Sequence, residues 1–171
     1  MVTCNKIAAA ETYAYYSNLK QLARTYNAPY LFETNVGAGL PIIDTLNHLI
    51  ASGDKVHTIQ AILSGSLNFV FNEFNDKTTF REVVQQAMDA GFTEPDPKID
   101  LSGVDVARKI LILARESGLE MELSDIDNES FLPKACLETK DNDSFLASLD
   151  DHNDHFEKLF TAAASKNCRL K

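Results

Sequence analysis

The chain has 171 residues, of which 44% are apolar, so it is long and apolar enough to form a domain with a hydrophobic core. Its formal net charge is -9, which argues against nucleic acid as a partner, because contacts with phosphate require clustered lysine and arginine side chains.

Association with a membrane is also disfavoured. No apolar run reaches the roughly 18 residues that a membrane-spanning helix needs, and no basic amphipathic stretch predicts binding to a membrane surface. The three cysteines, Cys4, Cys136 and Cys168, are far apart, and none belongs to a CxxC motif. This usage is typical of a reduced protein, so we expect a cytoplasmic location.

The first part of the chain is predicted to alternate helices with strands. The spacing of its apolar residues predicts a helix from Glu11 to Tyr26. Pro41 is expected to start a second helix, which Gly53 ends. Short apolar segments at 30–33 and 56–63 predict strands, because their side chains can alternate between two faces.

The second part of the chain is predicted to be mainly helical. Thr79 and Glu82 have the spacing of a capping box, and Gly91 is expected to end the helix that this box begins. Further helices are predicted at 67–74, 103–117 and about 152–166, with short helical pieces near Asp125, Pro133 and Ser144. Helices combined with a few widely spaced strands predict an α/β (α+β) fold, a mixed sheet covered by helices.

The segment 91–109 carries the densest set of candidate functional groups. Pro95 and Pro97 stiffen its loop, because each fixes its own φ and restricts the preceding residue. The segment ends by placing Asp105 and Lys109 four residues apart on a helix that is otherwise largely apolar. A buried lysine beside carboxylates is a candidate proton donor, whereas the simpler alternative is an ordinary i,i+4 ion pair.

Two other features allow both a functional and a structural interpretation. Glu94 lies on the stiffened loop, where a rigid carboxylate suits an ammonium group, although it could also be a solvated loop acid. Gly37 and Gly39 flank a tight turn whose carbonyl groups could hold a hard cation, with Glu33 nearby. The alternative is that this segment is only a turn.

Three stretches of the sequence closely resemble homoserine dehydrogenase. They are ETNVGAGLP at 33–41, ILSGSLNF at 62–69 and GFTEPDPKIDLSGVDVARK at 91–109. The first of these, together with LARESGLEMELSDI at 113–126, is most similar to the dehydrogenase half of bifunctional aspartokinase–homoserine dehydrogenase. The resemblance implies interconversion of L-homoserine and L-aspartate 4-semialdehyde with NADP or NAD, in a homodimer or higher homo-oligomer.

The resemblance also implies roles for individual residues. Lys109 is expected to be the catalytic proton donor, and Lys6 to assist proton transfer. The residues expected to bind the substrate are Glu94, Asp100 and Asp105. Those expected to contact the cofactor are Lys6 and Gly91. A sodium or similar monovalent cation is expected at the backbone carbonyls of Glu33, Val36, Ala38 and Leu40.

The chain departs from the family pattern in two respects. The family often reads PDPRDD, whereas this chain has Lys98 and Ile99 in place of the arginine and one aspartate. The glycine-rich Rossmann strand is also absent. We therefore expect 1–28 to be the end of a nucleotide-binding domain and 29–171 a truncated catalytic and oligomerisation domain, inactive alone. The alternative is a non-catalytic oligomerisation and substrate-binding module of a larger protein.

Overall fold

The computed structural model describes residues 1–170, which form ten α-helices and two single turns of 3-10 helix. The α-helices are α1 Ile7–Ala10, α2 Tyr13–Thr25, α3 Ile42–Ala51, α4 Gly65–Glu73, α5 Phe80–Asp89, α6 Pro97–Leu101, α7 Val104–Glu116, α8 Lys134–Leu137, α9 Asn142–Asp151 and α10 Asn153–Ser165. The 3-10 turns are Glu33–Asn35 and Leu123–Asp125. Within residues 1–170, every helix is too short or too polar to cross a membrane.

The mixed sheet expected from the sequence is not found in the described residues. Their β-structure is limited to one parallel bridge between Val2 and Leu31, in which the Leu31 N–H donates to the Met1 carbonyl over 2.8 Å. Residues 56–63 form neither a helix nor a ladder, although Ile59 and Leu63 pack against a hydrophobic core. Alternating side chains can orient a segment on a core, but a strand also needs a hydrogen-bonding partner.

The chain divides into two compact units. The first unit contains Met1–Leu63 and Val106–Asn128, and the second contains Ser64–Asp105 and the residues from Glu129 onward. Helix α7 therefore begins in the second unit and continues into the first. The sequence predicted a boundary between residues 28 and 29, which separates the end of a nucleotide-binding domain from a catalytic domain. The two compact units do not test that boundary, so it stays a prediction.

Each unit has its own hydrophobic core. The core of the first unit includes Ala9, Tyr16, Phe32, Val36, Ile43, Ile112 and Leu113. The core of the second unit is rich in aromatic rings. Phe80 stacks on Phe156 with ring centroids 4.0 Å apart, and Phe74 meets Phe80 edge to face at 5.4 Å. Such ring pairs add about 0.5–1.5 kcal/mol beyond the burial of their area, so α5 and α10 are held firmly together.

The capping box at the start of α5 is present as predicted. The Thr79 hydroxyl accepts the Glu82 N–H at 3.2 Å, and the Glu82 carboxylate accepts the Thr79 N–H at 2.8 Å. Both N–H groups would otherwise lack a partner within the helix, so the box defines where α5 begins.

Replacing Thr79 by alanine is expected to lower the free energy of unfolding by about 1 kcal/mol, because the first turn of α5 loses its cap. Urea denaturation followed by circular dichroism measures this loss. Thr58→Ala, at an exposed position outside the helices, is the matched control and should change the midpoint much less. Equal midpoints for the two variants would contradict the prediction.

Candidate functional site

The loop before α7 is organised around the Asp100 carboxylate in the second unit. One oxygen of Asp100 accepts the backbone N–H of Glu94 at 2.8 Å, and the other accepts the Ser66 hydroxyl at 2.9 Å. The Glu94 side chain is exposed. The structure therefore brings two of the predicted substrate-binding residues together, and Asp100 fixes the backbone from which the Glu94 carboxylate projects.

Helix α6 is a short element that the sequence interpretation treated as loop. Asp96 begins it by accepting the Lys98 N–H at 3.0 Å, and Pro97 occupies the first turn, a position that proline favours. The pattern Asp-Pro is a helix-start signal that could have revealed α6. Because Asp100 lies on this helix, its carboxylate comes from regular structure rather than from a mobile loop.

The other two predicted site residues of the second unit, Gly91 and Asp105, lie at helix ends. Gly91 has φ +70° and follows α5, where its N–H donates to the Met88 carbonyl while the Phe92 N–H reaches the Ala87 carbonyl at 2.9 Å. This is a Schellman motif, in which a positive φ favours glycine. Asp105 is half-buried in the first turn of α7, where an acid complements the helix dipole. Their predicted contacts with cofactor and substrate stay predictions.

The two predicted catalytic lysines belong to the first unit. Lys109 is half-buried, and its ammonium group donates to the Leu63 carbonyl over 2.7 Å. Lys6 is half-buried at the start of α1, a few residues after the bridge formed by Val2. A lysine ammonium has three N–H donors, so the bond to the Leu63 carbonyl is compatible with proton donation to a substrate.

The predicted cation-binding residues lie in the 3-10 helix that begins at Glu33 and in the tight turn that joins this helix to α3. Val36 is fully buried, Ala38 has φ +52°, and Leu40 is exposed. The Glu33 carbonyl accepts the Val36 N–H at 3.3 Å. No group of three histidine, cysteine or acidic side chains suited to a metal occurs within residues 1–170. A cation at this turn would therefore depend on backbone carbonyls.

The Glu33 side chain also has a structural role, as a helix cap, which was not predicted from the sequence. Its carboxylate accepts the N–H of Ile43 at 2.7 Å and the N–H of Asp44 at 2.8 Å, both in the first turn of α3. Pro41, at the N-cap position, supplies no side-chain hydrogen bond. Glu33 therefore caps α3 from outside the helix, and its negative charge complements the helix dipole.

Replacing Glu33 by glutamine is expected to lower the free energy of unfolding by about 1 kcal/mol, because an amide offers one acceptor oxygen where the carboxylate offers two. Urea denaturation of the 171-residue chain is the measurement. Glu120→Gln, at an exposed position in the same unit, is the control. A loss no larger than that of the control would show that Glu33 does not cap α3.

A buried charged network in the first unit was also missed. Arg115 and Glu116, at the end of α7, are only 3% and 7% exposed. The Arg115 guanidinium donates to the carbonyls of Ala9, Glu11 and Met121 and to the Glu122 carboxylate. An arginine next to a glutamate at the end of an apolar helix was the available signal, because such charges enter a core only when paired.

The Glu116 carboxylate joins three helices. It accepts hydrogen bonds from the Tyr16 hydroxyl on α2, from the Lys20 ammonium at 2.9 Å, and from the Asn47 amide at 3.0 Å on α3. Burial, and then the hydrogen bond to Glu116, raises the pKa of Tyr16 well above its ordinary value, so the phenol stays protonated as a donor.

Comparison with known proteins identifies the family. Residues 41–171 match the family model described as homoserine dehydrogenase. The chain is 47% identical over 171 residues to a bifunctional aspartokinase/homoserine dehydrogenase of Haemophilus influenzae, aligning all of this chain with 21% of that protein. It is 37% identical to a homoserine dehydrogenase of Paracoccidioides brasiliensis, with 97% of this chain aligned to 47% of the relative. The chain therefore belongs to the homoserine dehydrogenase family.

Solved structures support the same fold. A Candida auris protein of unknown function superposes with a TM-score of 0.88 and 37% identity, covering 96% of this chain and 48% of that one. A hyperthermophilic archaeal homoserine dehydrogenase in complex with NADPH gives a TM-score of 0.62 and 34% identity, covering 68% of this chain and 35% of that one. The chain thus has a homoserine dehydrogenase fold and spans about a fifth to a half of the lengths of these relatives.

Proposed function

We propose that this chain is the substrate-binding and proton-donating part of an enzyme that interconverts L-homoserine and L-aspartate 4-semialdehyde. The observation that carries the proposal is the loop in which Asp100 fixes the Glu94 backbone and leaves the Glu94 carboxylate exposed. Family membership supports the choice of substrate. Because the chain spans only part of each relative, the proposal concerns the full-length gene product.

In this proposal the acidic residues bind and orient the substrate. Both amino acids carry an α-ammonium group, and a carboxylate forms charge-assisted hydrogen bonds with such a group. Glu94 and Asp105 are the carboxylates assigned to that contact, and Asp100 maintains the loop. Holding the substrate in one orientation lowers the entropic part of the activation barrier.

Lys109 is assigned to the reacting oxygen. When bound, a nicotinamide cofactor supplies the hydride that reduces the aldehyde carbon of aspartate semialdehyde. Negative charge then develops on the aldehyde oxygen, where the Lys109 ammonium stabilises it and delivers the proton that completes the alcohol. Lys6 and Gly91 are the residues assigned to the cofactor side of the site. The NADPH bound to the archaeal relative supports this choice of cofactor.

We further propose a monovalent cation such as sodium at the turn formed by residues 33–40. The donor chemistry fits, because hard cations prefer oxygen ligands, which backbone carbonyls supply. The Asn35 side-chain oxygen is buried within the turn and has no hydrogen-bond partner among residues 1–170. Thermal unfolding of the chain in sodium chloride and in tetramethylammonium chloride of equal ionic strength tests the site, since a bound cation stabilises the folded state.

The full-length gene product is also proposed to be a cytoplasmic homodimer or higher homo-oligomer, fused to an aspartokinase as in the Haemophilus relative. Oxidation of NADPH in the presence of aspartate semialdehyde tests the activity. Turnover by the full-length product would support the enzyme, and binding of L-homoserine without turnover would support a non-catalytic binding module instead. The 171-residue chain alone is expected to show no turnover.

A further inference from the structure

The loop that presents Glu94 is anchored a second time, by the segment that joins α8 to α9. The Lys98 ammonium donates to the Thr139 carbonyl over 2.7 Å, and the Asn142 side-chain amide donates to the Pro95 carbonyl over 2.8 Å. All these residues belong to the second unit. The anchors attach to residues 95 and 98, whereas Asp100 holds residue 94.

The Lys98 side chain is unusually enclosed for a lysine, with only 13% of it exposed. Ordering a lysine side chain costs as much as 1.5–2 kcal/mol of conformational entropy, so a fixed lysine must be compensated by its contacts. Its contacts are the Thr139 carbonyl and an ion pair with the Asp96 carboxylate at 3.8 Å. Lys98 thus joins the beginning of α6 to a distant segment of the chain.

The anchoring segment is itself held by hydrogen bonds and by burial of its neighbours. Asp141 caps α9 by accepting the Ser144 N–H at 2.8 Å, and the Thr139 hydroxyl donates to the Cys136 carbonyl over 2.8 Å. Cys136 and the α9 residue Phe145 are fully buried in the core of the second unit. The hydrogen bonds from Lys98 and Asn142 therefore connect the loop to a segment whose neighbours are buried in the core of the second unit.

Two acidic side chains compensate for the unfavourable position of the Lys98 ammonium group. Lys98 lies near the N-terminus of α9, where the helix dipole disfavours a cation. The Ser144 N–H, with a smaller effect from the positive charge of Lys98, holds the pKa of the Asp141 carboxyl below its usual range. Asp141 and Asp96 thus both supply negative charge near the enclosed ammonium group.

We propose that Lys98 and Asn142 are positioning residues for substrate binding. They contact no substrate, but they hold residues 95–98 so that the Glu94 carboxylate is presented in one orientation to the ammonium group of an amino-acid substrate. The inference rests on the proposed function, because it assumes that Glu94 binds that group. It adds a segment from Thr139 to Asn142 that neither the sequence motif nor the family resemblance assigns to the site.

Two substitutions remove the anchors with little change of shape. Lys98→Met keeps the aliphatic stem and removes the ammonium group. Asn142→Asp keeps the side-chain size and removes the N–H donor, and an acid in the first turn of α9 is favourable for the helix itself. We expect each to increase hydrogen exchange at the Glu94 amide about tenfold and to weaken L-homoserine binding by a similar factor, as for loss of one hydrogen bond.

Hydrogen exchange at the Glu94 amide is measured by NMR on the 171-residue chain. Binding of L-homoserine is measured by titration calorimetry on the full-length gene product. Lys98→Arg retains the charge and the donors, so it should restore both values to near those of the unmodified chain. Lys140→Met removes a lysine from an exposed position of the same anchoring segment and should change neither value. Circular dichroism of each variant verifies that the fold is intact.

The outcomes separate the inference from the proposed function. Unchanged exchange at Glu94 in both anchor variants, or increased exchange with unchanged affinity for L-homoserine, would overturn the positioning role. Failure of the unmodified full-length product to bind L-homoserine would overturn the proposed function and the substrate role of the loop with it. Increased exchange and weakened binding in both variants, with recovery in Lys98→Arg, supports the inference.

Discussion

Replacing Lys109 by alanine in the full-length gene product is expected to lower kcat by about 10²–10⁴-fold, because the proton donor to the substrate oxygen is removed. NADPH binding should be largely unchanged, since Lys109 is assigned to the substrate. In the structure its ammonium group is held 2.7 Å from the Leu63 carbonyl, so its position is defined before any substrate binds. Steady-state oxidation of NADPH with aspartate semialdehyde measures the effect.

Two controls distinguish a catalytic from a structural role for Lys109. Lys55→Ala removes an exposed lysine of the same unit and should leave kcat unchanged. Thermal unfolding of Lys109→Ala shows whether losing the bond to Leu63 destabilises the fold. A kcat close to that of the unmodified enzyme in a correctly folded Lys109→Ala variant would exclude the proton-donor role and leave Lys109 as a structural residue.

Replacing Glu116 by leucine is expected to lower the free energy of unfolding by about 3–5 kcal/mol, because the partners of a buried carboxylate are left without their acceptor. Lys20 and Asn47 would lose hydrogen bonds of 2.9 and 3.0 Å, and the buried Tyr16 hydroxyl would lose its acceptor. For a protein of this size the melting temperature should fall by about 6–20 °C.

The control for this prediction is Glu120→Leu, at an exposed position shortly after the same helix. Surface substitutions of this kind usually change stability by about 0.5 kcal/mol or less. Glu116→Gln provides a graded test, because it preserves the shape and one acceptor and should therefore cost less than leucine. Similar stability of the Glu116→Leu and Glu120→Leu variants would show that the network does not hold α2, α3 and α7 together.

Most helices could be predicted from the sequence because their signals are local. The capping box of Thr79 and Glu82 marks the start of α5, and Gly91 marks its end, as the structure confirms. The helix predicted at Glu11–Tyr26 is observed as Tyr13–Thr25. Caps and apolar periodicity depend on residues that are three or four positions apart, so a short stretch of sequence is enough to predict such a helix.

Strands cannot be predicted from local signals in the same way. Residues 56–63 have the expected alternation, and Ile59 and Leu63 do pack against a core, but no ladder forms within residues 1–170. A strand depends on hydrogen bonds with another segment, which a local pattern does not specify. Helix α6 does have a local start signal, at Asp96. It was not predicted because that signal lies in a proline-rich segment that was interpreted as a loop.

By itself the sequence determined most of the helical framework, the family and the candidate site residues, since these depend on local patterns and on the motif at 91–109. Only the tertiary structure decided which groups meet. Glu116 reaches Tyr16 across 100 positions and Asn47 across 69, and Lys98 reaches Thr139 across 41. Such pairings arise when buried polar groups must find acceptors within a particular packing of helices, and local sequence patterns do not reveal that packing.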